Sequence, residues 1–231
     1  MSALSIDNER DRIAREAYVQ LSAAADKFEG YAHPHAERIA TIADAIAEVL
    51  HMAPQDRRSL RNAARMHDLG EVAMEREYIK NAGLLTADER IDLSRHPVIG
   101  EQEAARASAD RAVQLLVRWH HEWWNGAGYP DALRQTEIPL GARILRVADS
   151  YAAMTDDRPY RAAFTESQAR EQLIEGSAIE FDPEVVTVLL SLEGLEELRS
   201  HARREEVVPE SDETTNQKTD NEIKLFSSYT G

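Results

Sequence analysis

Three observations on the 231-residue sequence predict an all-α fold. Apolar residues recur at three- and four-residue spacing in one segment after another. No run alternates apolar and polar residues as a half-buried strand does. The breaks fall at residues that start or stop helices, among them Pro34, Pro54, Gly70 and Asp182-Pro183.

Each element can be justified in turn. Residues 7–28 carry Ile13, Ala17, Leu21 and Ala24 on one face and charges on the other, which reads as a packing or homodimerisation helix. Gly30 to Pro34 interrupts it, and Pro34 suits the start of a helix over 35–51. That helix has the stripe Ile39, Ile42, Ala43, Ile46 and Leu50, with His35 in its first turn. Pro54 opens a helix over 54–68 that ends in His67-Asp68-Leu69-Gly70, with Gly70 as its C-terminal cap and Glu71 in the loop beyond. Thr86-Ala87-Asp88-Glu89 is a capping-box pattern for a short helix. His96-Pro97 starts another, with His96 at the cap. Residues 109–121 form the helix that delivers His120 and His121, and 122–140 is a loop punctuated by glycine and proline. A helix over 141–156 has apolar Ile144, Leu145, Ala148, Ala152 and Met154, with Asp149 among them. Helices over 166–175 and 183–195 follow, and 205–231 lacks apolar periodicity and reads as disordered. The expected organisation is an N-terminal helical extension over 1–30, one domain over 31–200 and an acidic tail over 201–231.

Composition narrows the chemistry. A hydrophobic content of 42% supports a real core. No apolar run approaches the roughly 20 residues that span a bilayer, and the polar N-terminus has no secretory pattern. With no cysteine, disulfides, thiolate metal sites and cysteine nucleophiles are excluded, which fits a cytoplasmic chain. A net charge of −15 argues against nucleic-acid and anionic-membrane partners. An anionic substrate would need positive charge from metals or placed arginines.

Five histidines and two aspartates stand at helix ends or on inward helix faces: His35, His67, Asp68, His96, His120, His121 and Asp149. Taken singly, a histidine is usually a hydrogen-bonded structural residue. Together, a His-Asp pair, a His-His pair and an acid on an apolar helix face would leave several costly buried polar groups. One binuclear metal centre, bridged by Asp68, satisfies all of them. Adjacent His120 and His121 diverge by about 100° on a helix, so they can serve different ions. His33, His51 and His201 read as surface residues.

These residues lie in motifs that resemble the HD-GYP family, a branch of the HD-domain metal-dependent phosphohydrolases. The motifs are HDLG at 67–70, HPVIG at 96–100, HHEWWNGAGYP at 120–130 and IPLGARILRVADSYAAMTDDRPYR at 138–161. His35, followed by Glu37-Arg38, matches the family's first-helix histidine, and the match spans roughly 30–195. The resemblance implies an HD-domain helical bundle that hydrolyses cyclic di-GMP to pGpG or GMP by attack of a metal-bridging hydroxide. It assigns His67, Asp68, Asp149 and His35 to one ion, and His96, His120 and His121 to the second, with Asp68 as bridge. Tyr31 stands where some members carry a glutamate for a third ion, so two are expected. Imidazole-rich ligation suits iron or manganese and admits zinc.

The resemblance also names substrate contacts. Arg158 and Arg161 match positions that hold substrate phosphate; ion pairs with Asp156 or Asp157 are the alternative. Tyr129 matches the tyrosine of the GYP loop and is either a guanine contact or a loop anchor. Two positions depart from the family pattern: Glu71 replaces a phosphate-reaching lysine, and Asn125 an aspartate. Glu71 places an anion beside the metals, so an HD-type phosphohydrolase acting on another nucleotide, such as a different cyclic dinucleotide, is an alternative. A non-catalytic cyclic-dinucleotide sensor, contacting a protein partner through the GYP loop or the tail, is a further one.

Overall fold

The computed structural model describes residues 3–80, 84–157 and 162–192. Among them are ten α-helices and no strand. They are α1 Ala3–Glu29, α2 His35–Val49, α3 Pro54–Met66, α4 Leu69–Met74, α5 Ala87–Leu93, α6 His96–Arg106, α7 Arg111–Trp119, α8 Leu140–Thr155, α9 Glu166–Glu175 and α10 Pro183–Ser191. Short 3-10 turns at Glu77–Lys80 and Gln135–Glu137 complete the described elements.

The helices form where local signals agree. Proline occupies the first turn of α3, α6 and α10, where its missing N–H costs nothing. Thr86 and Thr165 close capping boxes on α5 and α9, and Asp110 caps α7 by accepting from Val113 N. The predicted stripe of α2 is buried: Ile39, Ile42, Ala43 and Ile46 lie in the core with Leu60, Ala63 and Ala64 of α3 and Ile144, Leu145 and Ala148 of α8. Helix α2 packs chiefly on α3 and α8, α6 is sandwiched between α4 and α7, and α1 lies across α3 and α4. Among the described residues, no helix is long and apolar enough to cross a membrane.

Three local expectations are corrected. Gly70 is not a helix cap. Asp68 caps a new helix, α4, and Gly70 and Glu71 lie in its first turn rather than in a loop. Gly70 is required by a close approach: a Cβ there would sit 2.0 Å from the His96 carbonyl oxygen and 2.8 Å from Gly100 N. A glycine marks either an unusual backbone angle or a tight contact, and the sequence does not distinguish them. His96 is the first residue of α6, and Arg95 is its cap. Helix α7 stops at Trp119, which leaves His120 and His121 in the turn that follows. The predicted substrate residues Arg158 and Arg161, the end of the 183–195 helix and the tail all lie outside the described residues.

Candidate metal centre

The bundle brings all seven predicted ligand side chains together at one end of its core. They come from the start of α2 (His35), the α3–α4 junction (His67, Asp68), the start of α6 (His96), the turn after α7 (His120, His121) and the middle of α8 (Asp149). They fall into two groups whose ligand atoms lie within 4.8 Å of one another, His35–His67–Asp149 and Asp68–His96–His120–His121.

Asp68 stands between the groups, with one oxygen turned to each. Its Oδ2 lies 2.8 Å from His67 Nε2, while its Oδ1 is 3.4 Å from His96 Nε2 and 3.7 Å from His120 Nε2. Asp149 Oδ1 is 3.6 Å from His35 Nε2 and 3.8 Å from His67 Nε2. His35, His67, His96 and His120 are buried, whereas His33 and His51 are exposed.

Ring orientation is fixed from behind. The main-chain carbonyls of Ala64, Leu93 and Val117 accept from Nδ1 of His67, His96 and His120 at 2.9, 2.8 and 2.6 Å. In each case the carbonyl is three residues upstream. A carbonyl can only accept, so the hydrogen sits on Nδ1 and the Nε2 lone pair faces inward. His35 is the first residue of α2 and has no such carbonyl; its Nδ1 donates instead to Asp156 Oδ2 at 2.8 Å.

The donors fit divalent cations. Nε2 of His35 is buried without a hydrogen-bond partner, and the buried Nε2 of His67, with its hydrogen on Nδ1, meets only the acceptor Oδ2 of Asp68 at 2.8 Å. The Nε2 atoms of His96 and His120 face each other at 3.3 Å, two lone pairs with no hydrogen between them in these tautomers. Electrostatics says the same. Burial alone would push His67 down, yet the carboxylates of Asp68 and Asp149 lift it to about 10. The two carboxylates thus favour positive charge in that half, which a cation on the Nε2 lone pairs would supply. In the other half burial dominates and brings His96 down to about 4, and His121 falls well below its ordinary range through burial and the neighbouring His120 and Arg146. Both shifts favour the neutral imidazole of His96 and His121, the form that ligates.

Glu71 belongs to a third set of donors that shares Asp68 with the histidine groups. With Glu29 of α1 and Asp68 it forms a purely carboxylate group within 4.8 Å, and its Oε1 is 3.8 Å from His96 Nδ1. Burial, then the charge of Asp68, drives the Glu71 carboxyl well above the usual carboxylate range. Tyr31, in the position where a third-metal glutamate was considered, stacks on His35 with ring centroids 3.7 Å apart. Tyr129 lies against His121 at 4.9 Å and 25° between planes, edge-on to His96. The loop is tied down beneath it. Buried Glu122 accepts from Asp131 N and Leu133 N, and Tyr129 N donates to the His121 carbonyl. At Gly128 a Cβ would lie 2.3 Å from Trp123 N, so the glycine permits this close fold-back.

The site roles of three residues, Asp156, Arg38 and Arg146, escaped sequence reasoning. Asp156 and Arg38 look like ordinary charges, although Asp156 follows Asp149 by two helical turns and Arg38 follows His35 by one. That spacing, which places them on the same helix faces as the ligands, was the available signal. Arg146 brings a guanidinium to the pocket: Nη1 is 3.0 Å from His121 Nδ1 and 3.6 Å from Asp149 Oδ2, with Glu180 holding the other arm.

Residues 19–185 match the HD domain. The chain is 36% identical over 186 residues to a cyclic di-GMP phosphodiesterase response regulator of Xanthomonas campestris, covering 79% of this chain and 49% of that protein. It is 31% identical over 159 residues to a 3'3'-cGAMP-specific phosphodiesterase of Vibrio cholerae, covering 68% of this chain and 30% of that protein. The chain therefore spans half or less of the length of these relatives. A solved cyclic GMP-AMP-specific phosphodiesterase of V. cholerae shares the fold with a TM-score of 0.65 at 19% identity, over 84% of this chain and 53% of that one.

Proposed function

The chain belongs to the HD-domain family, in its HD-GYP branch, and from this premise we propose that it is a metal-dependent phosphodiesterase of cyclic dinucleotides, with cyclic di-GMP as its substrate. The observation that carries this reading is Asp68, whose two oxygens face two separate sets of inward-turned imidazoles. The similarity to cyclic di-GMP phosphodiesterases supplies the substrate class.

His35, His67 and Asp149 would hold one divalent cation, and His96, His120 and His121 the second, with Asp68 shared between them. Iron or manganese matches this donor set, and zinc is admissible. Such a pair, when bound, supplies an activated water and polarises the scissile phosphate. The protein's own groups do the rest. Nδ1 hydrogen bonds hold the imidazoles in the ligating tautomer. The GYP loop, pinned by Glu122, walls one side of the pocket with Tyr129. Arg146 offers positive charge near Asp149, and Arg158 and Arg161 are assigned to substrate phosphate.

The test is metal analysis of anaerobically purified protein together with turnover of cyclic di-GMP. The expected result is two ions per chain and release of pGpG or GMP, abolished in His67→Ala. Metal-loaded protein that leaves cyclic di-GMP intact, with wild type and His67→Ala alike, defeats the proposal. A second reading, hydrolysis of a different cyclic dinucleotide, is favoured by Glu71 and by the similarity to the cGAMP-specific enzymes. Faster turnover of cyclic di-GMP by Glu71→Lys would identify Glu71 as the selecting residue; unchanged rates with preference for cyclic GMP-AMP would favour the second reading.

A further inference from the structure

Four histidines of the centre donate from Nδ1 to an acceptor, and one of the four acceptors differs in kind; the fifth, His121, meets the Arg146 guanidinium at Nδ1 instead. His67, His96 and His120 each lean on a neutral main-chain carbonyl, whereas His35 leans on a carboxylate from another helix. The difference follows from position. The first three rings stand where chain three residues upstream offers a carbonyl, but His35 opens α2 behind Pro34 and an irregular turn. Asp156, the residue that ends α8, fills the gap.

Asp156 is itself held. Its second oxygen accepts from Arg38 Nη1, and the same guanidinium donates to Thr155 Oγ1 and to the Ala152 carbonyl at 3.1 Å. Arg38 thus clamps the C-terminal turn of α8, where a cation also suits the exposed carbonyl dipoles. The result is a chain of contacts, Arg38 to Asp156 to His35, that ends at a buried Nε2 with no hydrogen-bond partner. A carboxylate behind an imidazole fixes its tautomer and raises its strength as a ligand more than a neutral carbonyl does.

We propose that Asp156 is the positioning residue of this centre, which sets the affinity of the ion held by His35, His67 and Asp149 and leaves the second ion unaffected. The proposal rests on the di-metal reading above.

The experiment is Mn²⁺ titration of full-length wild type, Asp156→Asn and Asp156→Ala, read by bound metal after dialysis against a weak chelator and by the electron paramagnetic resonance of the bound ions. Wild type should retain two ions and show the spectrum of a coupled pair. Asp156→Ala should retain one, with the other weakened about 10–100-fold and the coupling lost. Asp156→Asn, isosteric and still able to accept from Nδ1, should fall between them and guards against a folding failure. Folded Asp156→Asn and Asp156→Ala with two ions at wild-type affinity overturn the role of Asp156 alone. Wild type that binds no Mn²⁺, Fe²⁺ or Zn²⁺ overturns the di-metal reading, and this proposal with it. A role confined to stability would lower the unfolding temperature while leaving the ratio of the two affinities unchanged.

Discussion

The two oxygens of Asp68 carry the largest share of the proposed chemistry. Because Oδ2 faces His67 and Oδ1 faces His96 and His120, neutralising this one side chain acts on both groups. Asp68→Asn should therefore weaken both ions, whereas His120→Ala should weaken one. Metal content at increasing chelator concentration separates the cases, and an Asp68→Asn protein that loses a single ion contradicts the shared position. The ligands were legible in the sequence because imidazoles and an acid on an apolar helix face are chemically conspicuous. Arg38 and Asp156 were not, since an Arg or Asp beside a helix end is ordinary until the fold shows what it touches.

At the scale of elements, the GYP loop is held by charges whose state can be tested. Arg118 donates to both oxygens of Asp131, at 2.7 and 2.8 Å, and Trp119 Nε1 donates to Oδ2. The Arg118 hydrogen bond first, against the desolvation of burial and with help from Trp119, lowers Asp131 to about 2. An aspartate depressed in the folded state stabilises above its unfolded value of about 3.9 and loses that contribution as the pH falls through its folded value. The stability difference between wild type and Asp131→Asn should thus be constant above about pH 4 and shrink toward zero near pH 2. Denaturant titrations followed by tryptophan fluorescence measure it; a difference unchanged at pH 2 excludes Asp131 as the tie. The helix positions were readable from periodicity and caps. The turn at 67–70 was not, because Gly70 there answers a contact with α6 that only the tertiary structure creates.

For the whole molecule, the centre joins segments that are distant in sequence. Ligands from α2, the α3–α4 junction, α6, the turn after α7 and α8 converge on one pocket, so bound ions would cross-link most of the bundle. A ligand at about 100 times its dissociation constant stabilises the folded state by about 2.7 kcal/mol. For a domain of this size that corresponds to roughly 5–10 °C in unfolding temperature. Removing metal with a chelator should lower the midpoint by that amount in calorimetry, and re-adding Mn²⁺ should restore it. A midpoint indifferent to the chelator would mean that the folded chain holds no ion more tightly than the unfolded one. The all-helical class was legible because buried stripes repeat at helical spacing. The grouping of ligands into two sets was inferred from resemblance and became geometric once α4 and α6 were seen to cross at Gly70 and Gly100.

The carbonyl backing of three imidazoles has a bearing on how such a centre tolerates change. Ala64, Leu93 and Val117 contribute through main-chain oxygens, so replacing their side chains leaves the aim of His67, His96 and His120 in place. Three rings are in that sense insured against point mutation. The fourth depends on a side chain that a single codon change can remove, which makes position 156 the place where natural drift or deliberate redesign can detune one half of the centre while sparing the other.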